Sequence, residues 1–154
     1  MTNSFGEQNY RHTQRATVIL YAMVGMGVVF LIVGATVLRP ILITAPLLLI
    51  AAWLFHSLTI EIAGGELRWR FGPGWIRKQV SLDLILSAEP VRTNFIEGWG
   101  IHLSRFGWLY NVSGYDAVAI RMKNGQHFAL GTDEPAVLVA QLKREHCKRG
   151  EVGS

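Results

Sequence analysis

The sequence predicts an α+β membrane protein, in which a hairpin of two transmembrane helices precedes a compact domain of antiparallel strands with a C-terminal helix. The distribution of charged residues separates the membrane segment from the domain. Between Ala16 and Leu58 the only formally charged residue is Arg39, whereas 22 of the 26 charged residues follow Leu58. Beyond that point the continuous apolar run gives way to alternation of apolar and polar residues, which is typical of half-buried strands. The roughly 95 residues that remain are enough for one small domain.

The first apolar segment carries the stronger helix prediction. Residues 17–38 contain no charge, and as an α-helix they would cover about 30 Å of hydrocarbon. A cleaved signal peptide would have a shorter apolar core, and here a second apolar run follows directly. We therefore expect this segment to stay in the mature protein as a membrane span.

The second apolar segment is shorter. A tight turn is predicted at Pro40, because proline disfavours helical geometry in the residue before it but is accepted at a helix start. Residues 41–58 are predicted as the second span, in which Pro46 would either kink the helix or lie in its first turn. Gly27 and Gly34 share one helix face and would allow close approach of another helix, but glycine is common in membrane helices and no dimer is predicted from it.

Basic residues predict the orientation of the helical hairpin in the membrane. Arg11 and Arg15 precede the first helix, and the basic residues that follow the second are Arg68, Arg70, Arg77 and Lys78. Positive residues favour the cytoplasmic side, so a multi-pass membrane protein is predicted, with both termini in the cytoplasm. The single cysteine, Cys147, cannot form an intrachain disulfide and gives no reason to expect an oxidising compartment.

Turn signals place the strands of the domain. Gly64-Gly65 separates two alternating segments, and the Gly-Pro-Gly turn at 72–74 precedes a third strand. A fourth strand is predicted over residues 85–91. Asn124-Gly125 is the strongest two-residue hairpin signal in the chain and joins two further strands.

The domain is predicted to end in an amphipathic helix. Thr132 offers an N-cap, Pro135 suits an early helical position, and apolar residues follow at helical spacing. The predicted parts are a cytoplasmic tail (1–15), the hairpin (16–58), the domain (59–146) and a flexible tail (147–154).

Several segments together resemble small bacterial membrane proteins that carry a pleckstrin-homology-like domain. Besides the two apolar helices, these segments are residues 64–74, 98–101, 107–114 and 131–135, and the resemblance covers nearly the whole chain. It implies a pleckstrin-homology-like antiparallel β-barrel or sandwich capped by the C-terminal helix, and a location in the bacterial inner membrane. More distantly, the chain resembles membrane-anchored assembly factors with such domains. The resemblance transfers no catalytic residues, and the lipid-binding role of eukaryotic pleckstrin-homology domains is not carried over.

The segment from Thr93 to Gly114 is predicted as an irregular loop rich in aromatic residues and glycine. Aromatic anchors are favoured at interfaces, which indicates a partner-binding surface. The alternative is that the rings close the barrel or lie among lipid headgroups. The candidate partner-binding residues are Phe95, Trp99, Phe106, Trp108 and Tyr110.

A second candidate site consists of basic residues on adjacent strands near the predicted membrane exit. Anionic lipid would attract each of them by about 1 kcal/mol. The alternative is a solvated outer sheet face. The candidate lipid-binding residues are Arg68, Arg70, Arg77 and Lys78.

Composition and motifs weigh against other classes of protein. The net charge is +4, and residues 59–154 carry 12 Lys or Arg against 10 Asp or Glu, without the dense basic cluster of a nucleic-acid interface. The histidines are scattered, and Cys147 lacks further ligands at metal-binding spacing. Neither an activated nucleophile nor a glycine-rich phosphate loop is evident. The sequence therefore predicts no nucleic acid, no metal, no cofactor and no enzyme.

The leading functional hypothesis is a non-enzymatic, membrane-anchored interaction or scaffold module, such as an accessory or assembly factor of a membrane-protein complex. It would present an edge strand or the aromatic segment to its partner. The alternative is sensing of an anionic lipid or small ligand through the basic residues, and an enzyme or transporter subunit is least favoured. The predicted partners are a lipid bilayer and a membrane protein, and a homo-oligomer is left open.

Overall fold

A computed structural model describes residues 10–36, 42–94 and 100–152 of the 154-residue chain. These residues form an α+β fold of nine strands and three α-helices. In chain order the elements are β1 (Tyr10–Arg15), α1 (Thr17–Thr36), α2 (Thr44–Phe55), β2 (Ser57–Ala63), β3 (Glu66–Phe71), β4 (Ile76–Ser81), β5 (Ile85–Arg92), β6 (Gly100–Ser104), β7 (Gly107–Asn111), β8 (Asp116–Met122), β9 (His127–Gly131) and α3 (Pro135–Val152).

Four strands form the first sheet in the order β1-β2-β3-β4, and each neighbouring pair is antiparallel. The predicted strands on either side of Gly64-Gly65 are confirmed as β2 and β3. Strand β1 pairs along β2 from Tyr10 opposite Ile62 to Arg15 opposite Ser57. The sequence does not predict β1, because residues 10–15 show no alternation of apolar and polar side chains.

Five strands form the second sheet in the order β5-β8-β9-β7-β6. The predicted strand over residues 85–91 and the hairpin at Asn124-Gly125 are confirmed. Strands β6 and β7 form a hairpin inside the segment that was predicted as an irregular loop. Strand β7 pairs with β9 in parallel, so an all-antiparallel arrangement is wrong for this sheet. A sequence pattern locates strands but does not name their partners.

The two apolar helices lie between the paired strands β1 and β2, so both leave from the same end of the first sheet. At their base the Ala16 N–H donates to the His56 carbonyl oxygen at 2.8 Å. The second helix ends at Phe55, before the predicted residue 58, because Leu58 enters β2 and is fully buried there. A continuous apolar run does not distinguish a helix from a buried strand.

Helices α1 and α2 pack on each other through the two glycines noted in the sequence. A Cβ atom on Gly27 would lie 3.5 Å from Leu49 Cδ2, and one on Gly34 would lie 2.9 Å from Leu42 Cγ. The shared face of α1 therefore serves the contact with α2. Pro46 lies in the first turn of α2, where proline is tolerated. The turn predicted at Pro40 lies outside the described residues.

The predicted transmembrane hairpin is wrong. Searched over its described residues, the chain contains no helix that is both long and apolar enough to cross a membrane. Helix α2 has 12 residues, which rise about 18 Å against a hydrocarbon layer of about 30 Å. The predicted membrane-protein fold class, and with it the multi-pass location in a bacterial inner membrane with cytoplasmic termini, is corrected to an α+β fold of two sheets and three helices.

One main apolar core lies between the two sheets and α3. The first sheet contributes Leu58, Leu67 and Phe71, the second Val118, Ile120 and Leu130, and α3 Leu138, Val139 and Leu142. The predicted C-terminal helix is confirmed: Thr132 Oγ1 accepts a hydrogen bond from the Glu134 N–H at 3.1 Å, and the helix begins at Pro135. Phe55 of α2 packs on Phe71 with a centroid distance of 5.4 Å, which attaches the helical pair to this core.

Strand β1, one edge of the first sheet, is held against the start of α3. His12 contacts Asp133, and its Nδ1 lies 3.3 Å from Glu134 Oε2. Burial raises the pKa of Tyr10 to about 12, with a further contribution from the carboxylates of Glu134 and Asp133. Side-chain contacts thus tie β1 to the start of α3, and the opposite edge of the first sheet is β4.

Candidate functional site

A groove runs along β4, at the uncovered edge of the first sheet. It separates β4 from β6, β7 and the β8–β9 turn, and has a volume of about 560 Å³. This edge groove is lined by Trp69, Lys78, Gln79, Val80, Leu103, Gly107, Trp108, Tyr110, Met122, Gly125, Gln126, His127 and Phe128. Since β4 is the terminal strand of its sheet, its outer main-chain groups pair with no described strand.

The edge groove contains a cluster of aromatic rings. Trp69 stacks on Phe128 with a centroid distance of 5.0 Å and meets Tyr110 edge-on at 5.4 Å. Trp69 is 5% exposed, and its Nε1–H has no acceptor among the described residues. A buried donor without a partner costs about 1–3 kcal/mol.

Lys78 supplies a cation to the edge groove, whose other polar residues are Gln79, Gln126 and His127. Lys78 Nζ donates to the Tyr110 hydroxyl at 2.8 Å and lies 5.3 Å from the centre of the same ring. An ammonium group has three donors, so further donors can serve a ligand. The lining contains no Asp or Glu. The groove therefore combines apolar walls with a cation and a buried N–H donor, and favours a ligand that carries acceptors.

From the sequence alone, Trp69 belongs to no candidate site, and Lys78 is grouped with the basic residues of the opposite face. Lys78 stands opposite Trp69 in the register of β3 and β4, so both side chains lie on the same face of the sheet. Alternation along β4 could have predicted this position. Successive side chains of a strand point to opposite faces, so Lys78 lies on the same face as Ile76 and Val80, the apolar residues of β4.

The predicted aromatic residues lie in different surroundings. Trp108 is 52% exposed and lines the edge groove, whereas Tyr110 is 3% exposed and belongs to the main core while its ring borders the groove. Phe106 is half-buried against a second, smaller core cluster. Phe95 and Trp99 lie outside the described residues. Of the predicted set, the structure brings Trp108 and Tyr110 together.

Gly107 fixes the turn that positions Trp108. Its φ is +84°, a conformation that glycine adopts readily and other residues rarely. A Cβ atom on Gly107 would overlap the carbonyl oxygen of His127 on β9. Within the turn, Ser104 Oγ accepts from the Phe106 N–H at 3.1 Å and donates to the Gly107 carbonyl at 3.0 Å. The close approach of β7 to β9 therefore depends on this glycine.

The predicted basic residues are divided between the two faces of the first sheet. Arg70 lies directly opposite Arg77 in the ladder, on the face away from the core, and Arg68 shares that face. Lys78 lies on the other face, in the edge groove. All four residues nevertheless border one depression at this edge of the sheet.

The helical pair exposes a large apolar surface. Trp53 of α2, half-exposed, meets the exposed Trp75 edge-on at 5.6 Å, so this surface continues onto the β3–β4 turn. Large contiguous apolar patches on a protein surface mark sites of interaction with other molecules. The well-exposed residues are Val18, Tyr21, Met26, Val28, Val29, Ile32, Ile43, Leu47, Ile50 and Trp53.

Within the part of the chain that the structure describes, no group of three or more His, Cys, Asp or Glu side chains could hold a metal ion. Comparison with models of protein families, with curated proteins and with solved structures finds no match to this chain. A functional proposal therefore depends on the geometry above.

Proposed function

We propose that this protein is a non-enzymatic interaction module that binds an extended peptide segment of a partner protein in the edge groove. One observation carries the proposal: β4, an uncovered edge strand, forms one wall of a groove that holds aromatic rings and an unsatisfied buried donor. Strand addition to a sheet edge is a common mode of peptide recognition, in which main-chain hydrogen bonds give affinity and side-chain pockets give specificity.

The ladder indicates which groups of β4 face the open edge. The Leu82 N–H, just beyond β4, donates to the Gly65 carbonyl at 2.9 Å. Because inward and outward residues alternate along an antiparallel strand, Lys78 and Val80 also direct their main-chain groups towards β3. The N–H and C=O groups of Arg77, Gln79 and Ser81 then face the open edge and are available to a peptide.

The groove specifies the chemistry of the peptide. Six residues of β4 extend over about 20 Å, so a segment of similar length would pair along it. Alternate side chains of that segment would enter the groove, where an apolar side chain would pack on Trp108. An acidic side chain beside it would accept from Lys78, and no carboxylate in the lining competes with it.

The proposal retains part of the sequence prediction. An edge strand and aromatic residues are the predicted means of binding, and Trp108 and Tyr110 keep that role here. The pleckstrin-homology-like fold remains a prediction, as does a partner in a membrane-protein complex, which the resemblance implies.

A proline substitution tests strand addition. Gln79→Pro removes the outward N–H of β4, and proline is tolerated on an edge strand where its nitrogen faces away from the ladder. Gln79→Thr is the matched control, because threonine suits a strand and keeps the N–H. The probe is a random decapeptide library, selected on the full-length protein, followed by titration of the enriched peptides.

We expect enriched peptides to contain an apolar residue and an acidic residue. Gln79→Pro and Trp108→Ala should each weaken their binding at least tenfold, about 1.4 kcal/mol, while Gln79→Thr stays within about twofold. Circular dichroism should show an unchanged fold in all three variants. If no peptide is enriched, or if the enriched peptides bind Gln79→Pro as tightly as the unmodified protein, the proposal is wrong.

A further inference from the structure

The outer face of the first sheet carries an unusual pair of arginines. Arg70 on β3 and Arg77 on β4 are directly opposite each other in the ladder. Directly opposite side chains have Cβ atoms about 5 Å apart, and like charges in such positions destabilise a sheet. This face lies on the opposite side of the sheet from the edge groove, so its role is separate from peptide binding.

The neighbouring charges on this face are neutralised, but those of the pair are not. Arg68 binds Glu66 with its Nη2 at 2.7 Å from Oε2, and Arg11 binds Glu61 with Nε at 3.3 Å from Oε1. No ion pair joins Arg70 or Arg77 to a carboxylate within residues 10–36, 42–94 and 100–152. Both acidic residues that this part of the sheet offers are therefore already engaged.

A second observation singles out Arg70. Its side chain is half-buried, and its Nε–H is shielded from solvent without an acceptor in the described part of the chain. An unsatisfied donor on a charged group costs more than on a neutral one. One anion bound to both guanidinium groups would relieve the repulsion between the two arginines.

The surface around the pair has the shape of a binding site. A depression of about 610 Å³ on this face is lined by both arginines together with Thr59, Glu61, Arg68, Trp69, Lys78 and Gln79. Glu61, the only carboxylate among these residues, is paired with Arg11. A guanidinium presents donors in a planar fork that matches the oxygens of phosphate and carboxylate. Two such forks on adjacent strands favour a tetrahedral dianion over a single carboxylate.

We propose that Arg70 and Arg77 form a binding site for a phosphate monoester dianion. Arg70 and Arg77 both donate from their guanidinium groups, while Arg68 contributes little because Glu66 holds it. Lys78 also borders the depression, but it contributes little because its ammonium group donates to the Tyr110 hydroxyl on the other face of the sheet. The dianion is either a soluble phosphate compound or the headgroup of an acidic lipid, because both present the same oxygens.

The test uses the full-length protein with inorganic phosphate, and separately with vesicles of phosphatidylcholine with and without 20 mol% phosphatidate, about a fifth of the lipid. The variants are Arg70→Gln and Arg77→Gln, with Arg68→Gln and Lys78→Gln as matched controls that remove the same charge. Binding to pure phosphatidylcholine, which would report the apolar helical surface, is subtracted.

We expect Arg70→Gln and Arg77→Gln each to weaken phosphate binding at least tenfold and the two controls less than threefold. Phosphate should raise the unfolding temperature of the unmodified protein. Arg77→Gln should raise the unfolding temperature in the absence of phosphate, because the repulsion has been removed, and phosphate should then raise it no further. An arginine with only a structural role would not show both effects.

The lipid arm identifies the source of the dianion. Phosphatidate-dependent vesicle binding that inorganic phosphate displaces assigns the site to a headgroup, and phosphate binding without it assigns the site to a soluble compound. If all four substitutions weaken binding alike, the effect is a general electrostatic one and the proposal is wrong. It is also wrong if neither phosphate nor phosphatidate binds.

Discussion

The two sheets and the helical pair use apolar residues in opposite ways. In the sheets, large apolar side chains such as Leu67 and Leu109 are fully buried, whereas Val18 and Tyr21 of α1 are each more than 70% exposed. The most apolar stretch of the sequence is thus the one whose side chains are least buried. Hydropathy predicts where apolar surface exists, but tertiary structure decides whether the chain itself covers it.

The two regions should therefore respond differently to substitution. The sheet region is stabilised by close packing within the chain, so a substitution that adds even a small volume there should lower the free energy of unfolding. The outer surface of the helical pair makes few contacts within the chain, so substitutions there should change its association with other molecules and leave folding nearly unchanged. The proposed sites for peptide and phosphate both lie on the well-packed region, where rigid strands can hold them.

The largest effect is expected at Gly107. Gly107→Ala places a Cβ atom on the His127 carbonyl and a non-glycine residue at a φ of +84°. We expect the free energy of unfolding to fall by about 3 kcal/mol or more, because backbone strain and overpacking add. Urea denaturation followed by circular dichroism measures it.

Gly125→Ala is the control for Gly107→Ala. Gly125 has nearly the same φ, +83°, but a Cβ atom there would meet nothing within 4 Å. It should lose on the order of 1 kcal/mol from backbone strain alone. Equal losses at the two positions would show that the contact between β7 and β9 is not tight, which would contradict the close packing described here.

Much of the sheet region could be predicted from the sequence, because glycine turns and alternation are local signals. The strands beside Gly64-Gly65, the Asn124-Gly125 hairpin and the C-terminal helix follow from residues near one another in the chain. Strand β1 and the parallel pairing of β7 with β9 could not be predicted, because they depend on contacts between distant segments.

The candidate sites were predicted in part for the same reason. The sequence identified Trp108, Arg70 and Arg77 as candidates from residue type and neighbourhood. It did not separate Lys78 from the arginines, although the alternation of side chains along the strand could have done so. It also gave no sign that the Trp69 Nε1–H lacks a hydrogen-bond acceptor. An unsatisfied donor is a property of the packed structure, since every donor in an unfolded chain is hydrated.

An intermediate effect is expected where α1 meets α2. Gly34→Ala would bring a Cβ atom to 2.9 Å from Leu42 Cγ and 3.0 Å from the Leu42 backbone nitrogen. We expect a loss of about 1–2 kcal/mol in the free energy of unfolding, since overpacking outweighs the better helix propensity of alanine. Gly25→Ala is the matched control on the same helix, because nothing lies within 4 Å of its Cβ position, and it should gain up to about 1 kcal/mol. A gain of stability in both variants would show that the helices do not pack closely at Gly34.

The smallest effect on folding is expected on the outer surface of the helical pair. Ile32→Gln, Leu47→Gln and Ile50→Gln alter side chains that are at least half exposed, so each should change the free energy of unfolding by no more than about 0.5 kcal/mol. The triple variant should nevertheless self-associate less than the unmodified protein, because it removes much of a contiguous apolar patch. Sedimentation velocity over a range of protein concentrations measures association, and urea denaturation measures stability. Losses above about 1 kcal/mol per site would mean that these side chains are buried within the folded chain, and the contrast between the two regions would then be lost.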